Sequence, residues 1–260
     1  MALTLGAIFG PSLSVWVKPT GAVWELAVKG LLGDSLLNTV ILVMGSAVLS
    51  AFIGLGLAFV TTVYALPHKR WIGTLLVLPL AMPPFVVVLI WSSVTSTTGW
   101  LFTGLASLGI TLDPRWSLID PKALAIWVYT WSLYPYVYLV ARSLLAKHLG
   151  PFIENARLLG HSLWGIFWSL MVPMSLPVLL GGGLLVALEV LSDYGVISYL
   201  GIPTLSLAIV RTWIRLGDFD SALRLAFILL VLTGTLLGVQ ALLMRSIRHL
   251  MPAKPRALVP

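Results

Sequence analysis

The side chains best suited to contact an ion carry oxygen and lie together near position 190. Glu189 and Asp193 are four residues apart, so both carboxylates share one face if the segment is helical. Tyr194 and Tyr199 follow closely and add two phenol oxygens. Carboxylate and phenol oxygens suit a hard cation better than a soft one. The pattern therefore predicts two carboxylates on one face, with two phenols close by in sequence.

A structural role for Asp193 is the alternative, and the sequence leaves both interpretations open. Its carboxylate can cap the segment that follows it, or pair with Arg211 or Arg215. Placing an acid in an apolar environment costs free energy, so acids there normally face a cavity or a partner. Both interpretations meet this requirement.

Other patterns that support catalysis or nucleotide binding are absent from the sequence. There is no cysteine, so the chain has no thiolate nucleophile and no thiolate metal ligand. No lysine follows a glycine, which excludes the phosphate-binding G-x-x-x-x-G-K-[ST] loop. The histidines form no metal-binding spacing; they are His68, His148, His161 and His249. We predict no catalytic residue, no metal site and no cofactor in this chain.

The composition indicates that lipid is part of the solvent. Of 260 residues, 59% are hydrophobic and only 10% are charged, against about 25% charged in soluble domains. The mean hydropathy is +1.02. These values exclude a soluble enzyme, a disordered chain and a nucleic-acid-binding domain. The net charge of +7 is instead expected to mark the cytoplasmic face of a membrane protein.

Five apolar runs approach or exceed the length that a membrane-spanning helix needs. They cover residues 36–66, 71–94, 123–141, 166–188 and 225–244. Residues 2–17 are interpreted as a short first span, because they lack the basic start and cleavage site of a signal peptide. Residues 194–210 are interrupted by Gly201 and Pro203, which favours an interfacial segment. We expect an all-α polytopic membrane protein of about six helices, forming a single domain over residues 1–260.

Charge placement predicts the orientation. With six spans and the amino terminus inside, the cytoplasmic pieces are residues 67–70, 142–165 and 245–260. They hold nine of the 16 Lys and Arg residues and a single acid, Glu154, which is the asymmetry of the positive-inside rule. Both termini are then cytoplasmic. The outer connections are residues 18–33, 96–120 and 191–222.

The longest motif lies in the second of the three cytoplasmic pieces. It contains Glu154-Asn155-Ala156, then three residues, Gly160, nine residues and Leu170-Met171-Val172-Pro173. This resembles the EAA loop of binding-protein-dependent ABC importer permeases, in which E-A-A, glycine and I-x-L-P have the same spacing. Asn155 replaces an alanine of that pattern. The resemblance covers the chain from about Leu36 to Met244 and implies the type I importer permease fold.

The residues of this loop predict a short helix. Gly150-Pro151 can begin it, and Gly160 can end it by adopting a positive φ. Phe152, Ala156 and Leu159 are expected to share one face. The resemblance implies that residues 150–165 form a coupling helix that docks on an ATPase subunit. Its coupling residues would be Glu154, Asn155, Ala156, Gly160 and Pro173.

Two further stretches resemble the same permeases. Asn38-Thr39 is similar to the N-T pair that opens their second span, and the segment from Leu78 to Pro84 is similar to their proline motif. Pro83 and Pro84 either line the transport pathway or only bend the helix, since freed carbonyls are tolerated where neighbours or water satisfy them.

The stretch from Glu189 to Arg215, together with Leu133 to Tyr138, is similar to the ferric-iron transport permeases. Those chains usually contain two six-span halves, and this one resembles the amino-terminal half. The resemblance implies ferric iron as cargo, with thiamine, polyamine and phosphonate as alternatives. Pathway-lining residues would then include Tyr134 and Tyr136 beside Glu189 and Asp193.

The resemblance also implies partners and a location. ATP would be bound by an ATPase dimer, and cargo would come from an extracytoplasmic binding protein. A second permease half, either a copy or a paralogue, would complete the pore in a bacterial inner membrane, and no nucleic acid is involved. A secondary transporter or channel is a different class. It requires an acid deep in the membrane, and the predicted spans hold none near their centres.

Overall fold

The computed structural model describes residues 15–16, 21–64, 67–96, 98–110, 120–145 and 155–247. Within these ranges the regular structure is helical, without strands. The α-helices are α1 (Ala22–Leu26), α2 (Leu32–Val63), α3 (Lys69–Leu75), α4 (Pro84–Thr95), α5 (Trp100–Ser107), α6 (Pro121–Leu144), α7 (Leu163–Ile166), α8 (Val172–Ser192), α9 (Gly195–Leu200), α10 (Leu205–Val210) and α11 (Phe219–Ser246). Ala27–Leu31, Phe167–Met171 and Arg211–Arg215 are π-helical, and Leu78–Ala81 is a 3-10 turn.

Five helical stretches are long and apolar enough to cross a membrane. They are Val28–Val63, Pro84–Ser107, Pro121–Leu144, Val172–Ser192 and Phe219–Ser246. These stretches confirm the predicted all-α multi-span fold. The short first span predicted over residues 2–17 lies outside the described residues, apart from positions 15 and 16.

The prediction of one continuous helix over residues 71–94 is wrong. α3 ends at Leu75, a 3-10 turn follows, and α4 begins only at Pro84. The proline motif explains the break, because its prolines lack the N–H that a helix needs and clash with the preceding turn. Pro84 occupies the first turn of α4, where a proline is well tolerated.

The segment from 194 to 210 is not a span, as its glycine and proline predict. α9 ends at Gly201, which has a φ of 70°, and α10 begins two residues after Pro203. The hydroxyl of Thr204 accepts a hydrogen bond from the Leu207 N–H at 3.4 Å and caps α10. Two short helices therefore replace what hydropathy alone suggests as a further crossing.

The chain divides into two compact units. The first contains the described residues within 1–46, 82–129 and 187–235, and the second contains the described residues within 47–81, 130–186 and 236–260. The second unit has a core of aromatic and aliphatic side chains, among them Leu55, Phe59, Tyr138, Phe167 and Met171. In the first unit the fully buried side chains include Val128, Val190, Ile197 and Leu205. The assignment of residues 1–260 to one permease domain stays a prediction.

Candidate coupling loop and pathway residues

The coupling loop contains a helical turn that ends as the sequence predicts. Residues 155–158 are helical, and Gly160 follows with a φ of 83°. The Gly160 N–H donates to the Arg157 carbonyl at 3.0 Å, and the His161 N–H donates to the Ala156 carbonyl at 3.1 Å. This pair of bonds is a Schellman motif, in which the left-handed residue satisfies the last carbonyls of the helix.

The two faces of this turn differ in their surroundings. Ala156 packs against the core of the second unit, whereas Leu158 and Leu159 are 85% and 79% exposed. The expectation that Phe152, Ala156 and Leu159 share one face stays a prediction, since the structure shows only that Ala156 is packed and Leu159 is exposed. Phe152 and Glu154 fall outside the described residues.

The chain then turns directly into the next long helix. Ser162 caps α7, its hydroxyl accepting from the Gly165 N–H at 3.1 Å. The π-helical turn after α7 buries Phe167 and Met171 in the core of the second unit. Pro173 is the second residue of α8 and is half-buried. Trp164 on α7 remains 69% exposed, so this region presents a bulky apolar surface beside its anchored side chains.

Asp193 accepts two hydrogen bonds on one carboxylate oxygen. Its Oδ2 accepts from the Tyr129 hydroxyl at 2.8 Å and from the Val196 N–H at 3.0 Å. Burial raises the pKa of the Asp193 carboxyl, the two hydrogen bonds lower it, and the charge of Glu189 raises it. The Asp193 N–H also donates to the Glu189 carbonyl at 3.0 Å, so the two acids lie one helical turn apart, as their i, i+4 spacing predicts.

The structural alternative for Asp193 has two forms, a cap on the next segment and an ion pair with an arginine, and the described residues show only the cap. The carboxylate holds the N–H of Val196 at the start of α9, so the predicted capping role is confirmed. The part of the chain that the structure describes contains no ion pair from Asp193 to Arg211 or Arg215. Glu189 is exposed. The entrance role of both acids stays a prediction.

Tyr129 is the residue of this site that sequence reasoning did not find. It is 1% exposed, and its hydroxyl reaches Asp193 across 64 positions of sequence. The sequence does contain one indication, a tyrosine inside an apolar helix. A buried tyrosine hydroxyl normally needs a hydrogen-bond partner. That signal does not identify which distant group the partner is.

The asparagine and threonine near the start of the second predicted span hold a distant segment in place. The Asn38 side-chain amide donates to the Pro203 carbonyl at 2.9 Å. The Thr39 hydroxyl accepts from the Leu205 N–H at 3.1 Å. These bonds satisfy backbone groups at the turn between α9 and α10, where no regular helix can do so. The pair positions the interfacial segment that follows Asp193.

The other predicted pathway residues differ in burial. Tyr134 is 3% exposed in the core of the second unit, and its hydroxyl donates to the Leu76 carbonyl at 2.9 Å. This carbonyl lies at the break between α3 and the 3-10 turn, so Tyr134 satisfies a group that the prolines leave free. Tyr136 and Pro84 are half-buried and Pro83 is exposed. Among the described residues, no three His, Asp or Glu side chains cluster as metal ligands.

Comparison with known proteins gives a family and relatives. The family model described as binding-protein-dependent transport system inner membrane component matches residues 54–249. The probable sulfate transport system permease protein of Chlorokybus atmophyticus is 27% identical over 76% of this chain and 68% of its own length. The sulfate transport system permease protein of Escherichia coli K12 is 25% identical over 82% of this chain and 76% of its own length. That of Synechococcus elongatus is 29% identical, and the match spans only 59% of its length.

Solved structures share the fold. A bacterial ABC transporter involved in the import of the acidic polysaccharide alginate superimposes with a TM-score of 0.70 at 17% identity, covering 94% of this chain and 90% of that one. An amino acid ABC transporter with histidines gives a TM-score of 0.58 at 15% identity, covering 88% of this chain and all of the other. At such identities the likeness concerns the fold alone.

Proposed function

The chain belongs to the family of binding-protein-dependent transport system inner membrane components, and from this premise we propose that it carries ferric iron. Members are permease subunits of ABC importers, which are multi-pass membrane proteins and not enzymes themselves. A separate ATPase powers the transport. The cargo, the docking site and the subunit composition are the parts that we propose.

The coupling loop is the proposed docking site for the ATPase. The observation that carries this proposal is the Schellman end at Gly160, followed by α7, with Leu158, Leu159 and Trp164 exposed. An apolar surface of this kind in water favours a partner groove. The same turn is anchored through Ala156 to the core of the second unit. A movement of the ATPase would therefore be transmitted to the packed helices and not lost in a free loop.

The whole importer would then work by alternating access. ATP binding would close an ATPase dimer, and the two coupling loops of a permease pair would move with it. The second permease half would be a copy of this chain or a paralogue. A binding protein would deliver cargo to the opposite face, near the segment that follows α8.

Ferric iron is supported by the side chains at that face. Glu189 and Asp193 lie one helical turn apart, and the Glu189 side chain is exposed. A hard cation favours such oxygens, and two carboxylates lower the energy of a cation at the entrance.

Sulfate is the second candidate, because the sulfate permeases named above are similar over most of this chain. A divalent anion would be repelled by Glu189 and Asp193 where it entered. The acids therefore favour iron, although the relatives favour sulfate.

Transport of radioactive iron and radioactive sulfate should be compared in proteoliposomes containing this chain, its ATPase and its binding protein. We expect ATP-dependent uptake of iron and none of sulfate. The double variant Glu189→Gln/Asp193→Asn should lower iron uptake several-fold at unchanged membrane abundance. Uptake of sulfate alone would overturn the cargo proposal and leave the importer proposal intact. Uptake that needs no ATP would overturn both.

A further inference from the structure

The first unit contains a cavity that has no role in the transport proposal. Its volume is about 220 Å³, and its walls come from the start of α2, from α10 with the π-helical turn after it, and from α11. Most of the lining is aliphatic, including Leu31, Leu32, Leu207 and Leu225. A largely aliphatic cavity of this size suits a hydrocarbon group better than a hydrated ion.

Two arginines line the same cavity. Arg211 and Arg215 are the first and last residues of the π-helical turn, and both side chains are exposed. No acid lines the cavity, and within the described ranges neither arginine forms an ion pair. Guanidinium groups bind phosphate through two parallel hydrogen bonds, which makes arginine the preferred side chain for such a group.

The turn that carries these arginines lies at the boundary of a membrane span. Phe219 begins the span of α11 only four residues after Arg215. Trp213 is 55% exposed and Ile214 is 70% exposed, and the Trp213 ring contacts Phe219 at 6.1 Å between centroids. Exposed tryptophan beside aliphatic side chains is typical of the level of lipid headgroups.

We propose that this cavity is a binding site for one anionic phospholipid. Its phosphate contacts Arg211 and Arg215, and part of an acyl chain enters the aliphatic cavity. A phospholipid combines an anionic headgroup with a long hydrocarbon chain. The two arginines of this lining complement the anion, and its aliphatic side chains complement the hydrocarbon. A free inorganic anion would satisfy the arginines and leave the cavity empty. The proposal does not depend on the identity of the cargo.

The test is native mass spectrometry of the full chain in uncharged detergent. The probes are phosphatidylglycerol and phosphatidylcholine with the same acyl chains. Each arginine near a membrane surface raises the affinity for an anionic lipid about fivefold, so the pair predicts a preference for phosphatidylglycerol of about 25-fold. The variant R211Q/R215Q should remove this preference, leaving a ratio of about one. R245Q, which removes an exposed arginine from the last turn of α11, should leave it unchanged.

Further variants separate charge, cavity and folding. R211K/R215K keeps both charges and should keep most of the preference for phosphatidylglycerol. That result would indicate that R211Q/R215Q loses the preference because it loses charge and not because it misfolds. Ala208→Phe fills the cavity from its wall and should lower retention of phosphatidylglycerol while both arginines remain. Full retention by R211Q/R215Q or by A208F would overturn the proposal. Displacement of phosphatidylglycerol by millimolar sulfate or phosphate would overturn it in favour of a site for soluble anions.

Discussion

At the scale of single residues, both donors at Asp193 converge on the same oxygen. The Tyr129 hydroxyl and the Val196 N–H each donate to Oδ2, and both residues are almost completely buried. A neutral amide in place of the carboxylate still offers one oxygen in this position. Charge and hydrogen bonding at Asp193 are therefore separable by substitution.

We predict that Asp193→Ala lowers the amount of protein in the membrane and that Asp193→Asn does not. Alanine leaves two buried donors without an acceptor, at a cost of about 1–3 kcal/mol each, whereas asparagine can accept from both. Quantitative blotting of membranes and thermal unfolding in detergent would measure the difference. Equal loss in both variants would show that the negative charge, and not the acceptor, holds this end of α8.

Gly160 is the second residue whose backbone determines its role. Its φ is 83°, and apart from its own chain neighbours no atom of the described residues lies within 4 Å of the position that a Cβ would take. Strain at this position would thus come from the left-handed backbone alone, which costs other residues about 1–2 kcal/mol.

We expect Gly160→Val to lower ATP-dependent uptake several-fold while membrane abundance stays near that of the wild type. Valine disfavours the left-handed conformation and would reshape the end of the coupling turn. Gly160→Asn is the matched control, because asparagine tolerates this conformation, and it should transport normally. Wild-type uptake by the valine variant would contradict the coupling role of the loop.

Residue-scale features were predictable from sequence where they depend on neighbouring residues. The positive φ of Gly160 and the cap from Asp193 to Val196 involve separations of a few positions. The bonds from Tyr129 to Asp193 and from Asn38 to Pro203 join positions 64 and 165 apart. Periodicity carries no information about such pairs, so only the folded chain reveals them.

At the scale of helices, glycine determines how closely two of them approach. A Cβ on Gly54 of α2 would lie 2.7 Å from Val137 Cβ and 2.9 Å from the Tyr138 nitrogen on α6. The obstruction includes backbone, which cannot rotate away. Small residues are the usual means of close helix contact in membranes, and Gly182 of α8 lies against Val137 in a similar way.

Gly54→Ala should destabilise the protein by about 1–3 kcal/mol through overpacking, whereas Gly56→Ala should not. Gly56 is on the same helix, and outside that helix's own backbone no atom of the described residues lies within 4 Å of its Cβ position. Alanine there is expected to be neutral, or stabilising by up to about 1 kcal/mol, because it favours the helix. Thermal unfolding of both variants in one detergent measures this difference. Equal stability of the two would show that α2 and α6 do not pack as described.

Helix boundaries were predictable to the extent that charge and apolar length define them. The span predicted from residue 36 to residue 66 corresponds to α2, Leu32–Val63. The span predicted from 71 to 94 failed because apolar length was given more weight than the three prolines in Leu78–Pro84. A proline motif of this density ends a helix, and the carbonyl of Leu76 then takes its hydrogen bond from Tyr134. That partner is on another helix, where sequence spacing could not identify it.

At the scale of the whole molecule, the proposed roles of the coupling loop and of the acids near position 190 predict that the two face opposite sides of the membrane. The distribution of Lys and Arg predicts that residue 158 is cytoplasmic and that residues 29 and 107 are outside. The natural chain contains no cysteine, so single cysteines can be introduced without background labelling. Leu158 is 85% exposed, while Lys29 and Ser107 are also exposed.

In intact spheroplasts, a membrane-impermeant maleimide should label Lys29→Cys and Ser107→Cys but not Leu158→Cys. Permeabilised membranes should make Leu158→Cys reactive, because the charge asymmetry places the coupling loop inside. Co-expression of the ATPase should then protect Leu158→Cys several-fold, since the docked subunit would cover the exposed turn. Arg245→Cys, on the same predicted face at the end of α11, is the control that should remain reactive. Labelling of Leu158→Cys in intact spheroplasts would reverse the orientation, and equal protection of both cysteines would place the ATPase contact outside the coupling loop.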